Sequence, residues 1–308
     1  MKYCAISYAP IAPDAFYSPN AIKRIAPKLT KLNPIELTAT DLLKRAHADI
    51  ANMSIPGMQA KLCAKVNLKK QCFEIDPQGL FILKPQNEDY RELPENEAIT
   101  MKLAETVGLD VPLNGLIFTQ DNYLTYFIKR FDRLSHYKRH HIEDFAQLSL
   151  QNRDTKYASS MENVARLIAT YCTFPKIEFV KLFKLTLFNF LVGNEDMHLK
   201  NFTLITVNNK VMLAPCYDLL NTSIVLNNTQ EEMALPLHGK KQNLQKDDFF
   251  GYFAKGQLGL NNTIIDEVIH TFQKALATWH NLIQCSYLSI PMQKSYIALL
   301  KERCARLG

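Results

Sequence analysis

Seven cysteines are scattered along 308 residues without a single C-x-x-C pair. An odd count at such spacings supports neither a disulfide framework nor a zinc site, so reduced thiols and a cytoplasmic location are expected. No apolar run is long enough to span a bilayer, and the apolar stretch at the start is too short for a signal peptide. No membrane association is therefore expected, and the N-x-S/T triplets carry no glycosylation meaning. A formal charge of +6 comes without a dense Lys/Arg run, which argues against direct sequence-specific nucleic-acid binding. The densest basic stretch, HYKRHH at 136–141, reads as a solvated loop or a partner contact. Repeats and low-complexity tracts are missing as well. So is the G-x-x-x-x-G-K-[ST] pattern of a Walker loop.

What is present is a chain with 47% hydrophobic residues, ample for one large domain or two lobes. Residues 1–36 are Pro-rich with little periodicity and read as an extended arm. N-cap chemistry at 38–41 opens a helix over 41–51. Short apolar strands follow at 62–66 and 80–84, separated by a charged turn, the stretch FEI at 73–75 and the turn DPQG at 76–79. Pro94 and Glu95 open a helix in which Ile99, Leu103 and Val107 recur at helical spacing, with Gly108 as its C-cap. Strands return at 113–119 and 123–128, ending in the polar exit KRFDR at 129–133. From about residue 140 the character turns helical, with segments at 161–173, 179–192 and 264–279. The pattern predicts an α+β fold with a β-rich N-terminal lobe over 1–133 and a helical C-terminal lobe over 134–308.

The chemistry concentrates in GNEDMHLKN at 193–201 and in PCYD at 215–218. Asp196 stands five residues before Asn201, and Asp218 follows on the far side of a hairpin predicted over 201–207 and 211–214. Kinase-class enzymes use this spacing: the first Asp orients or deprotonates the attacking hydroxyl, while the Asn and second Asp hold magnesium. Asn and Asp are also ordinary turn residues, taken singly. A buried helix feeding the first Asp and a hairpin delivering the second would bring three oxygen-bearing side chains together, a donor set that suits magnesium. Lys84 ends an apolar strand, where a phosphate-pairing lysine belongs in kinases, and Glu95 or Glu97 could pair with it. Phe131 and Asp132 lie where the front lobe ends, the position of an adenine-contacting linker and a ribose-binding carboxylate. Surface-turn chemistry is the rival reading there. The turn SIPGMQAK at 54–61 has backbone amides that could cradle phosphate, though it lacks the several glycines of a eukaryotic kinase loop.

Taken together, SIPGMQAK, FILKP at 81–85, Asn96-Glu97, RFDR at 130–133, and DMHLKN at 196–201 with Tyr217-Asp218 resemble the HipA-like serine/threonine kinases of bacterial toxin–antitoxin systems. The resemblance implies a two-lobed protein-kinase-like fold using ATP and Mg2+. It makes Asp196 the catalytic Asp and places Asn201 and Asp218 on the metal. Lys84, Glu97, Lys129, Phe131, Asp132, His198 and Lys200 would surround the nucleotide. Ser54, Ile55, Gly57, Gln59 and Lys61 would form the phosphate loop, with Ser54 as an autophosphorylation site whose loop can be ejected once modified. Pro56 and Met58 depart from the small residues of longer members. The stretch ahead of the motif is shorter than in HipA proper, which matches the split, HipT-like form. A small protein would then supply the missing N-terminal subdomain, a DNA-binding antitoxin would complete the system, and the substrate would be an aminoacyl-tRNA synthetase, tryptophanyl or glutamyl. The D-x-H-x-x-N cluster also resembles small-molecule and lipid kinases, and a non-catalytic ATP-binding module is the alternative from another class.

Overall fold

The computed structural model describes residues 1–50, 60–135, 137–151, 155–226 and 230–308. The chain starts with a strand pair, β1 (Lys2–Tyr3) against β2 (Pro10–Ile11), and a short helix, α1 (Pro19–Ile25). The extended arm expected over 1–36 is thus a folded segment. Pro19 occupies the first turn of α1, where a missing N–H is harmless, and Ser18 Oγ accepts from the Ala21 amide as N-cap. Cys4, Ala5, Tyr8 and Ile25 are buried, so this segment belongs to the core. The next helix, α2 (Ala39–Ile50), starts from Thr38, whose Oγ1 accepts from the Asp41 amide at 3.1 Å and donates to the Asp41 carboxylate at 2.8 Å.

The front of the molecule is a five-stranded antiparallel sheet. Its strands are β3 (Leu62–Asn67), β4 (Cys72–Ile75), β5 (Phe81–Lys84), and, after helix α3 (Leu93–Thr106), β6 (Asn114–Phe118) and β7 (Leu124–Lys129). The spatial order β4-β3-β5-β7-β6 inserts β7 beside β5, so that Leu83 faces Phe127 and Lys84 faces Tyr126. Phe73, Phe81 and Phe127 pack on one another with ring centroids 5.1 to 6.1 Å apart. Each such enclosed ring contributes about 1.5–3 kcal/mol. In α3 the predicted stripe of Ile99, Leu103 and Val107 is fully enclosed, and Met101 and Ala104 on its other faces are enclosed too. The far side of this helix is covered by the C-terminal helices: Trp279 Nε1 donates to Thr106 Oγ1 at 2.7 Å, and the Thr100 and Tyr296 hydroxyls lie 2.8 Å apart.

The second half begins with an element absent from the sequence reading, strand β8 (His141–Asp144), followed by α4 (Phe145–Leu148), α5 (Met161–Tyr171) and α6 (Pro175–Val192). Strand β8 is mostly exposed and carries little apolar pattern; it forms because β9 (Thr203–Val207) offers a pairing edge. The hairpin of β9 and β10 (Lys210–Leu213) turns at Asn208 and Asn209, both in the left-handed region at φ 49° and 61° as a two-residue hairpin turn requires. Helix α6 is buried from Leu182 to Val192 apart from the partly covered Lys184, which explains why its sequence shows almost no polar face. A π-helical stretch (Asp248–Gln257) leads to α7 (Asn262–Gln284) and α8 (Ile290–Leu307). Among the described residues no helix is long and apolar enough to cross a membrane.

Candidate active site

Strand β5 ends at Lys84, and the strand pairing carries its side chain inward, where its Nζ lies 5.6 Å from the centre of the Tyr126 ring. The ammonium donates to both oxygens of Glu97 at 2.6 and 2.8 Å and to Asp218 Oδ1 at 2.6 Å. Of the two glutamates considered for this pairing, Glu97 makes it. Glu95 instead accepts from Gln86 at 3.3 Å. Burial would lower the Lys84 ammonium, but Asp218 and Glu97 outweigh it and raise its pKa. Burial likewise opposes ionisation of Asp218, yet Lys84 prevails and brings that carboxyl down to about 2. Glu97 is pushed the other way: its enclosure dominates and Lys84 only partly pulls it back, leaving it above the ordinary carboxylate range. The Asp218 side chain keeps 34% of its surface exposed against 1% for Glu97, so Asp218 is the member of the trio that a ligand can reach. Its backbone adopts φ 59°, a left-handed conformation that Asp and Asn tolerate better than other side chains.

Helix α6 delivers the second half of the site. It stops at Gly193, whose φ of 69° closes the helix, and whose amide bonds back to the carbonyls of Asn189 and Phe190. A Cβ there would stand 2.4 Å from Leu299 Cδ2 and 2.6 Å from Ser223 Oγ. Asn194 is enclosed and held by Asn189, and it accepts from the Asp196 amide at 3.2 Å. The Asp196 carbonyl then accepts from the His198 amide at 2.8 Å and from Asn201 Nδ2 at 3.1 Å. That bond fixes the Asn201 amide and leaves its Oδ1 without a partner among the described residues. Tyr217 anchors the incoming Asp218 by donating to the Lys200 carbonyl at 2.8 Å and sharing a 2.7 Å contact with Thr203 Oγ1.

Other candidate residues divide by location. Lys61, at the head of β3, feels Asp218, Lys84 and Glu97, and burial brings its ammonium down to about 8. Phe131 lies against Tyr217 with ring centroids 5.5 Å apart. Asp132 is held bidentately by Arg130 at 2.9 and 2.6 Å, with Arg133 beyond at 3.6 Å. The Lys129 side chain is exposed at the end of β7, and Lys200 is half-buried next to the Tyr217 hydroxyl. His198 is buried, mainly by which its imidazole is pushed below its ordinary pKa, and its Nδ1 is enclosed without a hydrogen-bond partner among the described residues. Ser54, Ile55, Gly57 and Gln59 lie outside the described residues.

Several contacts left no trace in the sequence reading, although Asn96 itself belongs to the Asn96-Glu97 piece of the resemblance. Asn96 and Asn221 exchange two bonds, Asn96 Nδ2 to the Asn221 carbonyl at 2.9 Å and the Asn221 amide to Asn96 Oδ1 at 2.8 Å. Thr222 Oγ1 accepts from the Glu195 amide at 2.7 Å and donates to the Gly193 carbonyl at 3.1 Å, tying the segment after Asp218 to the turn before Asp196. Tyr157 donates its hydroxyl to Asp196 Oδ1. Each is a contact across many residues with no local pattern to announce it. A cavity of about 500 Å3 lined by Leu109, Val180, Leu185, Leu213 and Pro215 reaches Asn201 and Tyr217, but Lys84, Asp196 and Asp218 are not part of its wall.

The donor set fits magnesium. Asn201 Oδ1 and Asp218 Oδ2 are hard oxygens with no partner among the described residues, few enough to leave positions for phosphate and water. No group of three or more His, Cys, Asp or Glu side chains suited to a metal occurs among the described residues.

Comparison with known proteins places this geometry. The model of the HipA-like C-terminal domain matches residues 53–279. A putative kinase of Haemophilus influenzae is 29% identical over 285 residues, covering 83% of this chain and 82% of that protein. The serine/threonine-protein kinase toxin HipA of Shewanella oneidensis is 30% identical over 192 residues, which span 56% of this chain and 44% of that protein. The structure of HipA from Shewanella oneidensis MR-1, solved with HipB and operator DNA, superposes with a TM-score of 0.69 at 21% identity and covers 89% of this chain and 73% of that one. That likeness establishes the fold: two lobes, the front one β-rich and the rear one helical, in the arrangement of a kinase.

Proposed function

The chain belongs to the HipA-like C-terminal domain family, and from that membership we propose that it is an ATP-dependent serine/threonine-protein kinase acting as a toxin. The observation that carries this reading is the Lys84 ammonium bonded at once to Glu97 and Asp218. Kinases hold their phosphate-pairing lysine with a helix glutamate and keep the metal-binding aspartate beside it. Here Glu97 is enclosed and fixed on α3, so Lys84 is already aimed toward Asp218 before any nucleotide arrives. Preorganised charge of this kind contributes to transfer without reorganisation during the reaction.

In this reading Lys84, with Lys61 close by, pairs with the nucleotide phosphates. Phe131 packs beside the base from the linker, and the buried His198 backs the nucleotide site from the Asp196–Asn201 turn. Lys129, Asp132 and Lys200 line the approach. Asp196 orients the acceptor hydroxyl and takes its proton, held in place by Asn194 and the buried end of α6. Asn201 and Asp218 would hold magnesium, which when bound supplies positive charge against the phosphates. Ser54 is the proposed site of autophosphorylation in the loop comprising Ile55, Gly57, Gln59 and Lys61. The front lobe is taken as residues 1–133 and the rear lobe as 134–308.

The partners follow the same reading. A DNA-binding antitoxin and a small protein completing the front lobe are proposed, the first by analogy with the HipA–HipB–DNA complex. An aminoacyl-tRNA synthetase, tryptophanyl or glutamyl, is the proposed substrate, its modification halting translation. The test is incubation with γ-labelled ATP and magnesium, alongside Asp196→Gln, with the label mapped by mass spectrometry. Label on the protein or on a synthetase that disappears in Asp196→Gln supports the kinase. Nucleotide binding without transfer to either would identify a binding module instead, and unimpaired growth of cells expressing the active kinase would overturn the toxin reading.

A further inference from the structure

Asp196, the proposed base, already has a hydroxyl on it. Tyr157 donates its phenolic O–H to Asp196 Oδ1, and among the described residues no other side chain donates to that carboxylate. The contact is built from both sides. The Lys156 carbonyl, next to Tyr157 in the chain, accepts from the Leu199 amide at 3.2 Å, which pins this segment to the turn between Asp196 and Asn201. The Tyr157 ring meets the His198 ring edge-on at 5.2 Å, and the Tyr157 carbonyl accepts from the Ser159 amide at 2.9 Å. The ring is 40% exposed, so it bridges the solvent-facing mouth of the site and the carboxylate within. Burial, reinforced by Asp196, holds the phenol above its ordinary pKa, so the proton stays on oxygen until a transfer removes it.

A substrate hydroxyl must occupy this position to be deprotonated or oriented by Asp196. We propose that Tyr157 is a resident acceptor: its hydroxyl takes the γ-phosphoryl group of ATP within its own chain, and the modification then clears the acceptor position for other substrates. The inference rests on the phosphoryl-transfer reading of this site and adds a modification site to it. In the step, the phenolic oxygen bonds to the γ-phosphorus as the bond to the β–γ bridging oxygen breaks. ADP departs, and the phenolic proton passes to the Asp196 carboxylate. The phosphotyrosine so formed carries close to two negative charges and cannot stay against Asp196. Glu231 adds to that repulsion, since its carboxylate is among the charges acting on the Tyr157 hydroxyl. Expulsion therefore opens the site.

The experiment uses the full chain with γ-labelled ATP and magnesium, in wild-type and Tyr157→Phe forms, with casein as a generic acceptor and the label mapped by mass spectrometry. Phosphotyrosine at residue 157 is expected in wild-type, with a first-order rate that does not change on dilution, and no phosphotyrosine in Tyr157→Phe. Casein labelling should show a lag in wild-type that Tyr157→Phe abolishes. Label confined to serine or threonine, with Tyr157 unmodified in a protein that labels itself or casein, overturns the proposal and leaves the kinase reading standing. Absence of any transfer by both forms, to themselves or to casein, overturns the kinase reading and this proposal with it.

Discussion

Lys84 and Asp218, separated by 134 positions in the chain, share a hydrogen-bonded ion pair of 2.6 Å. One residue ends a strand of the front sheet and the other follows the hairpin of the rear lobe, so the bond spans the cleft. With Glu97 on the other side of the ammonium, two carboxylates are hydrogen-bonded to one cation.

Removing that cation is therefore expected to be costly. Lys84→Met leaves Glu97 enclosed without its hydrogen-bonded counter-charge and should destabilise the fold by about 3–5 kcal/mol, the usual result of breaking a buried pair from one side. Urea unfolding measures it. Adding Glu97→Gln to Lys84→Met should recover part of the loss; a double variant less stable than Lys84→Met would contradict the pairing.

The two aspartates should separate kinetically. Asp196→Asn is expected to lower kcat by about 10²–10⁴ while nucleotide affinity stays near wild-type, because the proposed role of Asp196 is on the acceptor. Asp218→Asn should instead weaken magnesium-dependent nucleotide binding. Titration of a fluorescent ATP analogue with and without magnesium, beside single-turnover transfer, distinguishes them, and identical profiles for the two variants would refute the assigned roles.

Glu95 gives a pH signature. Burial pushes its carboxyl from 4.5 up to about 7, so between those values the folded state binds more protons than the unfolded one. Stability linked to Glu95 is thus fully present below pH 4.5 and is lost as pH rises toward 7, by about 3 kcal/mol. Glu95→Gln should remove this part of the slope in denaturant unfolding followed from pH 4.5 to 7, while Glu97, shifted the same way, keeps its own. An unchanged slope in the variant would count against a buried, proton-holding Glu95.

Gly193→Ala is expected to destabilise by more than about 1 kcal/mol, since a side chain there meets both an unfavourable φ and occupied space. Thermal unfolding reports the loss, and transfer activity should fall with it because the same residue starts the turn to Asp196. A stable, fully active variant would show that α6 can end without glycine.

The candidate motif residues stood out in the sequence because their chemistry is compressed into short spacings. Asp196 to Asn201 is a single turn, and a buried helix before it with an Asn-Asn hairpin after it announced how Asp218 would return. Lys84 was readable as a strand end; spacing alone left Glu95 and Glu97 open as its partner, the resemblance pointed to Glu97, and the structure pairs Lys84 with Glu97. Residues 1–36 misled because prolines at element starts look like linker punctuation. Strand β8 was hidden because its pairing is decided by β9, and its own side chains are mostly exposed. Tyr157 and the Asn96–Asn221 exchange depend on contacts far apart in the chain, which no local pattern encodes.

Helix α3 carries Glu97 and is fastened to the rear of the molecule along its length. Asn96 joins it to the segment after Asp218, Thr100 to Tyr296 of α8, and Thr106 to Trp279 of α7. Many kinases switch off by swinging this helix outward and drawing its glutamate away from the lysine. Here such a swing would tear three enclosed polar contacts at once, so the helix behaves as a fixed strut of the rear lobe. For the proposed kinase, that would move control to what occupies the cleft and away from the Lys84–Glu97 pair.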